Sequence, residues 1–369
     1  MLGTKGPLLE EIVRAYFAKQ GFFALRSLPL RYEGEDVTDV DIWLYARQSA
    51  SVRTRAIVDV KNKKSPRALE PVLWTKGLQT VTNADRAIVV TTDNSPHIVK
   101  FGQKHKVIVL TNAFLDRLLK TLPLQDRLSL EELLDAIRKY SGQKADGDWI
   151  RRLEDTKSGL ISLSAFPALN RSLASFGFFV NRIESRPHFA EQALRCALLC
   201  ASVACITLDA ALERVVFEDT PGRQKAILDG VTYGDSGDSR TQKGIDNVLA
   251  LLEENMENGK VIANEAKRAI TASFQGVRAD ILAEHFSREH NSSQLVPIAR
   301  ELESLAHQRH APATATLSPD ARALMGVFAD FVQAKRQVIL GATFAKAAPT
   351  PPVEDAEQSP QKAEPGKLL

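Results

Sequence analysis

The segment Asp39–Ala46 constrains this chain most. Val40, Ile42 and Leu44 alternate there with Asp39, Asp41 and Trp43. A period of two fits a strand and no helix. Two further strand candidates flank it, about Phe22–Arg31 and Arg53–Lys61, the second centred on Ala56-Ile57-Val58. Leu8, Leu9, Ile12, Val13, Tyr16 and Phe17 precede them at helical spacing, from Gly6-Pro7 to a stop at Gly21. Pro66 opens a helix over about Arg67–Thr82, and Ala87–Thr91 is an apolar run of the kind covered in parallel sheets. A helix near Pro96–Lys104, a strand at Val107–Leu110 and a helix at Asn112–Leu122 follow. The order α-β-β-β-α-β-α-β-α predicts an α/β sandwich with a mixed sheet.

Beyond Pro123 the pattern changes. Ser129-Leu-Glu-Glu132 is a capping box that opens a helix to Tyr140. Gly142–Asp148 reads as a polar linker, so residues 123–148 join two parts. From Trp149 to Leu340 the periodicity is helical, with helices expected at Phe189–Phe217, Thr241–Met256, Asn264–Phe274, Ala279–His290 and Pro319–Ile339. Tyr233–Arg240 reads as a loop. The expected division is an α/β domain over 1–122, a helical domain over 149–343 and a disordered, proline-rich tail over 344–369.

The longest apolar stretch, Cys196–Leu208, reads as a buried helix too short to cross a bilayer. Cys196, Cys200 and Cys205 lack the spacing of a zinc site or a disulfide framework, so reduced core thiols are expected. No apolar run follows a basic start, which leads to the expectation of a cytoplasmic protein without a membrane partner.

Charge is uneven. Residues 1–122 hold 19 Lys/Arg against 12 Asp/Glu, a net of +7, and the remainder holds 29 against 33, a net of −4. Arg47, Arg53, Arg55, Lys61, Lys63, Lys64 and Arg67 face a single nearby acid, Asp59. Such a segment suits a polyanion, or else forms a solvated charged face.

Asp59-Val60-Lys61 ends the third strand candidate. Residues two apart on a strand share a face, so Asp59 and Lys61 project together. Asp41 lies on the strand that would hairpin against it, and the first helix offers Glu10 and Glu11. Acids converging from several elements are what a hard cation needs. The acid-x-Lys triplet alone says little, since it recurs at Asp155-Thr-Lys157 and Glu265-Ala-Lys267.

Leu9-Glu10, Gly21-Phe22, Thr38-Asp39-Val40-Asp41-Ile42 and Ile57-Val58-Asp59-Val60-Lys61-Asn62, followed by Ala84–Thr92, together resemble the PD-(D/E)xK restriction-endonuclease-like superfamily. The likeness is to Mrr-type and Holliday-junction-resolvase-like domains, over about residues 5–122. It implies Mg²⁺ or Mn²⁺ bound by Asp41, Asp59, the Val60 carbonyl and Glu10, with Lys61 as the catalytic lysine. Glu10 is preferred to Glu11 by its distance from Gly21-Phe22. Asp59 stands where Glu is frequent, and Val40 where Pro is. Gln79, on the following helix, is carried over as a nucleic-acid contact together with Lys63, Lys64 and Arg67. The expected function is a metal-dependent DNA endonuclease in restriction, phage defence or repair, with RNA left open as substrate and a homodimer as one form. The alternatives are a catalytically silent binding module of the same fold, or a nuclease gated by a helical domain that binds a partner protein. Trp74, at helical spacing with Leu78, is read as core rather than as a base-stacking platform. The seven histidines show no ligand spacing, and Ser236 in Gly234-Asp-Ser-Gly237 lacks the strand-turn-helix setting of a nucleophile.

Overall fold

The computed structural model describes residues 5–61, 69–121 and 126–341. Lys63, Lys64, Arg67 and the tail from 344 lie outside the described residues.

Helix α1 (Lys5–Lys19) leads into β1 (Phe23–Tyr32), β2 (Glu35–Arg47) and β3 (Arg53–Lys61). Then come α2 (Glu70–Val81), β4 (Arg86–Thr91), α3 (Pro96–Lys104), β5 (Val107–Leu110) and α4 (Asn112–Thr121). The expected order of elements is therefore present. The five strands lie in the order β1-β2-β3-β4-β5. The first two pairings are antiparallel and the last two parallel, so the sheet is mixed. The strand β2 starts earlier than its alternation suggests. A two-residue turn, Glu33 at φ 51° and Gly34 at φ 91°, closes the β1–β2 hairpin directly.

Alternation sorts the side chains onto two faces. Ala24, Ile42, Leu44, Ala56, Val58, Ile88 and Val90 pack under Leu9, Val13 and Phe17 of α1 and Leu115 of α4. The opposite face, with Leu25, Trp43, Tyr45, Ile57 and Val89, meets α2 and α3 and continues into the helical part of the chain. One apolar core therefore runs from the sheet to Ile339 without a break at residue 122.

The helical part comprises α5 (Leu130–Arg138), α6 (Trp149–Ser162), α7 (Ala165–Ser185), α8 (Ala190–Leu212), α9 (Thr220–Tyr233), α10 (Gly237–Asn255), α11 (Gly259–Gln275), α12 (Ala279–Phe286), α13 (Glu289–Ser293), α14 (Leu295–Ala306), α15 (Pro319–Phe331) and α16 (Arg336–Leu340). The capping box at α5 forms: the Ser129 hydroxyl accepts from the Glu132 N–H at 3.1 Å, and the Glu132 carboxylate accepts from the Ser129 N–H at 2.7 Å. Several sequence readings are corrected. Ala279–His290 and Pro319–Ile339 each break in two, the second at Gln333, whose φ is 57°. The Tyr233–Arg240 stretch is a 3-10 turn over Gly234–Ser236 running into α10. The Gly142–Asp148 stretch is tethered, because Asp146 holds both Arg182 and Arg186 at 3.0 Å.

Helix α8 is the centre of this part. With its flanking turns, Pro187–Val215 is long and apolar enough to cross a membrane, contrary to the reading from Cys196–Leu208, yet 89% of its apolar window is buried within the protein. Cys196, Cys200 and Cys205 are free, buried thiols on it, as expected. Its Asp209, fully buried, accepts from the Tyr45 hydroxyl at 2.7 Å and pairs with Arg53 at 2.6 Å and Arg47 at 3.1 Å. Arg55 pairs with Glu213 at 3.3 Å. Three of the seven cations in the basic segment thus pair with helical acids of this chain, Arg53 and Arg47 at the buried Asp209 and Arg55 at the partly exposed Glu213.

Candidate active site

The β2–β3 ladder runs from Arg47↔Arg53 to Ile42↔Val58 and stops there. Past that point a side chain replaces the ladder: Asp41 Oδ2 accepts from the Val60 N–H at 2.7 Å. The N–H and C=O of one strand residue point to the same edge, so the Val60 carbonyl also faces the gap between the strands. β3 continues on β4, with Asp59 opposite Val89 and Lys61 opposite Thr91. Asp59 and Lys61 share the sheet face that α2 covers, with Thr75 of α2 beside the Asp59 carboxyl.

Asp59 is buried, at 5% exposure. Its Oδ1 accepts from Lys61 Nζ at 2.7 Å, while Oδ2 is sealed from solvent with no hydrogen-bond partner. Thr75 of α2 lies beside this carboxyl and donates to the Pro71 carbonyl at 2.7 Å. Burial pushes the Asp41 carboxyl up to about 6; the nearby Asp59 charge adds to this, and the Val60 N–H and Lys61 oppose it. Burial likewise raises Asp59, against the pull of Lys61 and Thr75. For Lys61 burial acts downward, but the bond to Asp59 and the charges of Asp59, Asp41 and Glu10 outweigh it, and the ammonium is held protonated. Two crowded carboxyls with raised proton affinity form a site that favours a cation between them.

The charge of Glu10 acts on both Asp41 and Lys61. Its carboxylate is engaged, however, by Arg26 Nη2 at 2.8 Å. Arg26 also takes Glu131 of α5 at 2.9 Å. Glu11 turns the other way, to Arg14 at 2.8 Å, Arg26 at 3.6 Å and Arg127 at 3.5 Å. Arg26 was not among the residues singled out from the sequence. Its signal is a lone arginine within the apolar run Phe23–Leu30, a position that demands buried acids.

A hard divalent cation takes carboxylate and carbonyl oxygens. Asp41, Asp59 with its partnerless Oδ2, and the Val60 carbonyl fit that requirement. Among the described residues no three His, Cys, Asp or Glu side chains converge closely enough to hold a metal, so the set rests on two carboxylates and backbone. Gln79 braces the α2–β4 turn. Its amide donates to the Asp85 carbonyl at 3.0 Å and its Oε1 accepts from Lys76 at 2.8 Å. The reading of Trp74 as core is corrected. The ring is 50% exposed, beside Leu73 at 56%, because the buried stripe of α2 is Val72, Thr75 and Leu78.

Comparison with protein-family models, curated proteins and solved structures returns no match to this chain.

Proposed function

We propose that this chain is a nuclease of the PD-(D/E)xK type, hydrolysing DNA phosphodiesters with Mg²⁺ or Mn²⁺ in the cytoplasm. The observation that carries the reading is the meeting of Asp41, Asp59 and Lys61 where β2 and β3 part. The resemblance of residues 5–122 to that superfamily supports it. Asp41, Asp59 and the Val60 carbonyl would hold the ion. A bound Mg²⁺ or Mn²⁺ supplies charge stabilisation for the scissile phosphate and lowers the pKa of water. Lys61 Nζ, anchored to Asp59, orients the attacking water or neutralises the developing negative charge. Glu10 adds negative charge to the site while Arg26 holds it. The exposed Trp74 and Leu73 offer an apolar surface on which an unstacked base can rest.

One observation favours a second reading. Lys61 is paired with Asp59 and Glu10 is held by Arg26, an arrangement equally suited to a silent binding module or to a nuclease awaiting a signal through α5. A cleavage assay on plasmid, linear and single-stranded DNA with Mg²⁺ or Mn²⁺ separates these readings. The expected result is cutting by the wild type and a loss of about 10³-fold or more in Lys61→Ala, as for removal of a main transition-state stabiliser. Cutting that survives in Lys61→Ala overturns the assignment. No cutting by either protein moves the conclusion to the silent binding module or to the nuclease gated by the helical part.

A further inference from the structure

Helices α10 and α11 pack against each other as a hairpin, and most of α10 is exposed. Leu249 is its buried residue, and Ile245 lines a hollow with Ile270 and Phe274 of α11. A second apolar row lies about a quarter turn round the helix and faces solvent. In it Val248 is 56% exposed and Leu251 59%. Gly244 continues that row, and a methyl group added there would meet nothing within 4 Å. Thr241, Gly244, Val248 and Leu251 alternate steps of three and four, the spacing of a helix-pairing seam. Arg240, Asn247 and Glu254, each seven residues from the next, run along one side of it. All three are exposed, and neither Arg240 nor Glu254 has an ion-pair partner among the described residues.

We infer that α10 is a self-association surface, pairing antiparallel with α10 of a second copy about a twofold axis at Asn247. Reversing the helix sets Arg240 beside Glu254 of the second copy, and Glu254 beside its Arg240, with the two Asn247 side chains meeting at the axis. In the same register Val248 enters the notch at Gly244 and Leu251 covers Thr241, each contact occurring twice. A parallel pair would set Arg240 against Arg240 and Glu254 against Glu254, which is repulsive. One helix therefore complements itself when reversed, as an isologous interface requires, and such an interface closes the assembly at two copies. Glu253, Glu254 and Glu257, at one end of the seam, disfavour a nucleic acid as the occupant. The surface is one helix wide, so the dimer is weak, with a dissociation constant on the order of 10 µM. The inference is independent of nuclease activity and is tested without DNA or metal.

Sedimentation equilibrium of the full-length protein in EDTA, from about 1 to 100 µM, should show a reversible monomer–dimer equilibrium. Leu251→Glu should leave a monomer throughout that range. Residue 251 is exposed, so the variant keeps its fold, which circular dichroism checks. Arg240→Glu and Glu254→Arg should each weaken dimerisation about tenfold, since each brings like charges together twice. Combining the two restores opposite charges and should restore the wild-type dissociation constant. A monomer over the whole range overturns the inference. So does a dimer that survives Leu251→Glu, or a double variant as weakly associated as the single ones.

Discussion

Removing the Asp209 carboxylate should damage this protein more than most single substitutions, because three groups from two strands converge on it. Arg53 is 6% exposed and pairs with Asp209 at 2.6 Å. In Asp209→Ala that guanidinium stays buried without its anion, and breaking a buried pair from one side costs about 3–5 kcal/mol. The Tyr45 hydroxyl, on a fully buried side chain, loses its acceptor at 2.7 Å. An unsatisfied buried donor costs a further ~1–3 kcal/mol. Arg47 also donates to the Ser292 carbonyl at 2.8 Å and is partly solvated, so its loss adds little. These terms overlap, and the expected destabilisation is about 5 kcal/mol, a third or more of a typical domain's stability. Urea unfolding followed by circular dichroism measures it. The pair Asp209→Leu with Arg53→Met is the control, since replacing both charges removes the uncompensated ion and should recover much of the loss. A cost below about 1 kcal/mol for Asp209→Ala would refute the reasoning, as would a double variant no more stable than the single one.

Two further outcomes follow from other buried contacts. Glu303, ion-paired with Arg127 at 2.6 Å, keeps its carboxyl down at about 2 despite burial, and burial holds the His307 imidazole neutral down to about 3. Both groups bind fewer protons folded than unfolded. Stability should therefore be full above about pH 6.5 and fall as pH drops, first as unfolded histidine charges and then between about 4.5 and 2 as carboxylates protonate. Glu303 alone contributes roughly 3 kcal/mol to this fall, and Glu303→Gln should flatten its lower part in urea melts taken across pH. Gly102→Ala should cost about 1–3 kcal/mol in the same assay, because the added methyl would stand 2.8 Å from the Val107 carbonyl and 2.5 Å from Val109 Cγ2. An unchanged midpoint would show that α3 can move off β5.

The N-terminal third was legible from the sequence because its signals are local. Alternation in Asp39–Ala46, the apolar run before Thr91 and the punctuation at Gly21 and Pro96 are each read within a few residues. The placement of Asp59 and Lys61 on one face follows from strand period alone. Other features required the tertiary fold. The charge of Arg47, Arg53 and Arg55 looks available to a polyanion until Asp209 and Glu213, more than 150 residues further on, are seen to neutralise it. Trp74 fits a helical stripe with Leu78, but the stripe that turns inward runs through Thr75, beside Asp59. In the helical part the apolar residues of α7 and α8 surround the helix axis, so periodicity loses contrast and breaks such as Gln333 leave little trace.

The two halves share more than a boundary. The sheet face that carries Asp59 and Lys61 is the face that continues into the helical core. Arg26 couples them again: its side chain reaches Glu10 beside the acids, Glu131 on α5 holds it, and its carbonyl receives the Lys157 ammonium of α6. A shift of α5 or α6 would have to move Arg26 or break its contacts, and either event alters the charge that Glu10 places on Asp41 and Lys61. Deleting the helices therefore does more than release a switch, because it strips the cover from Leu25, Trp43 and Tyr45. Control by the helical part is better tested by single substitutions in the intact chain than by truncation at residue 122.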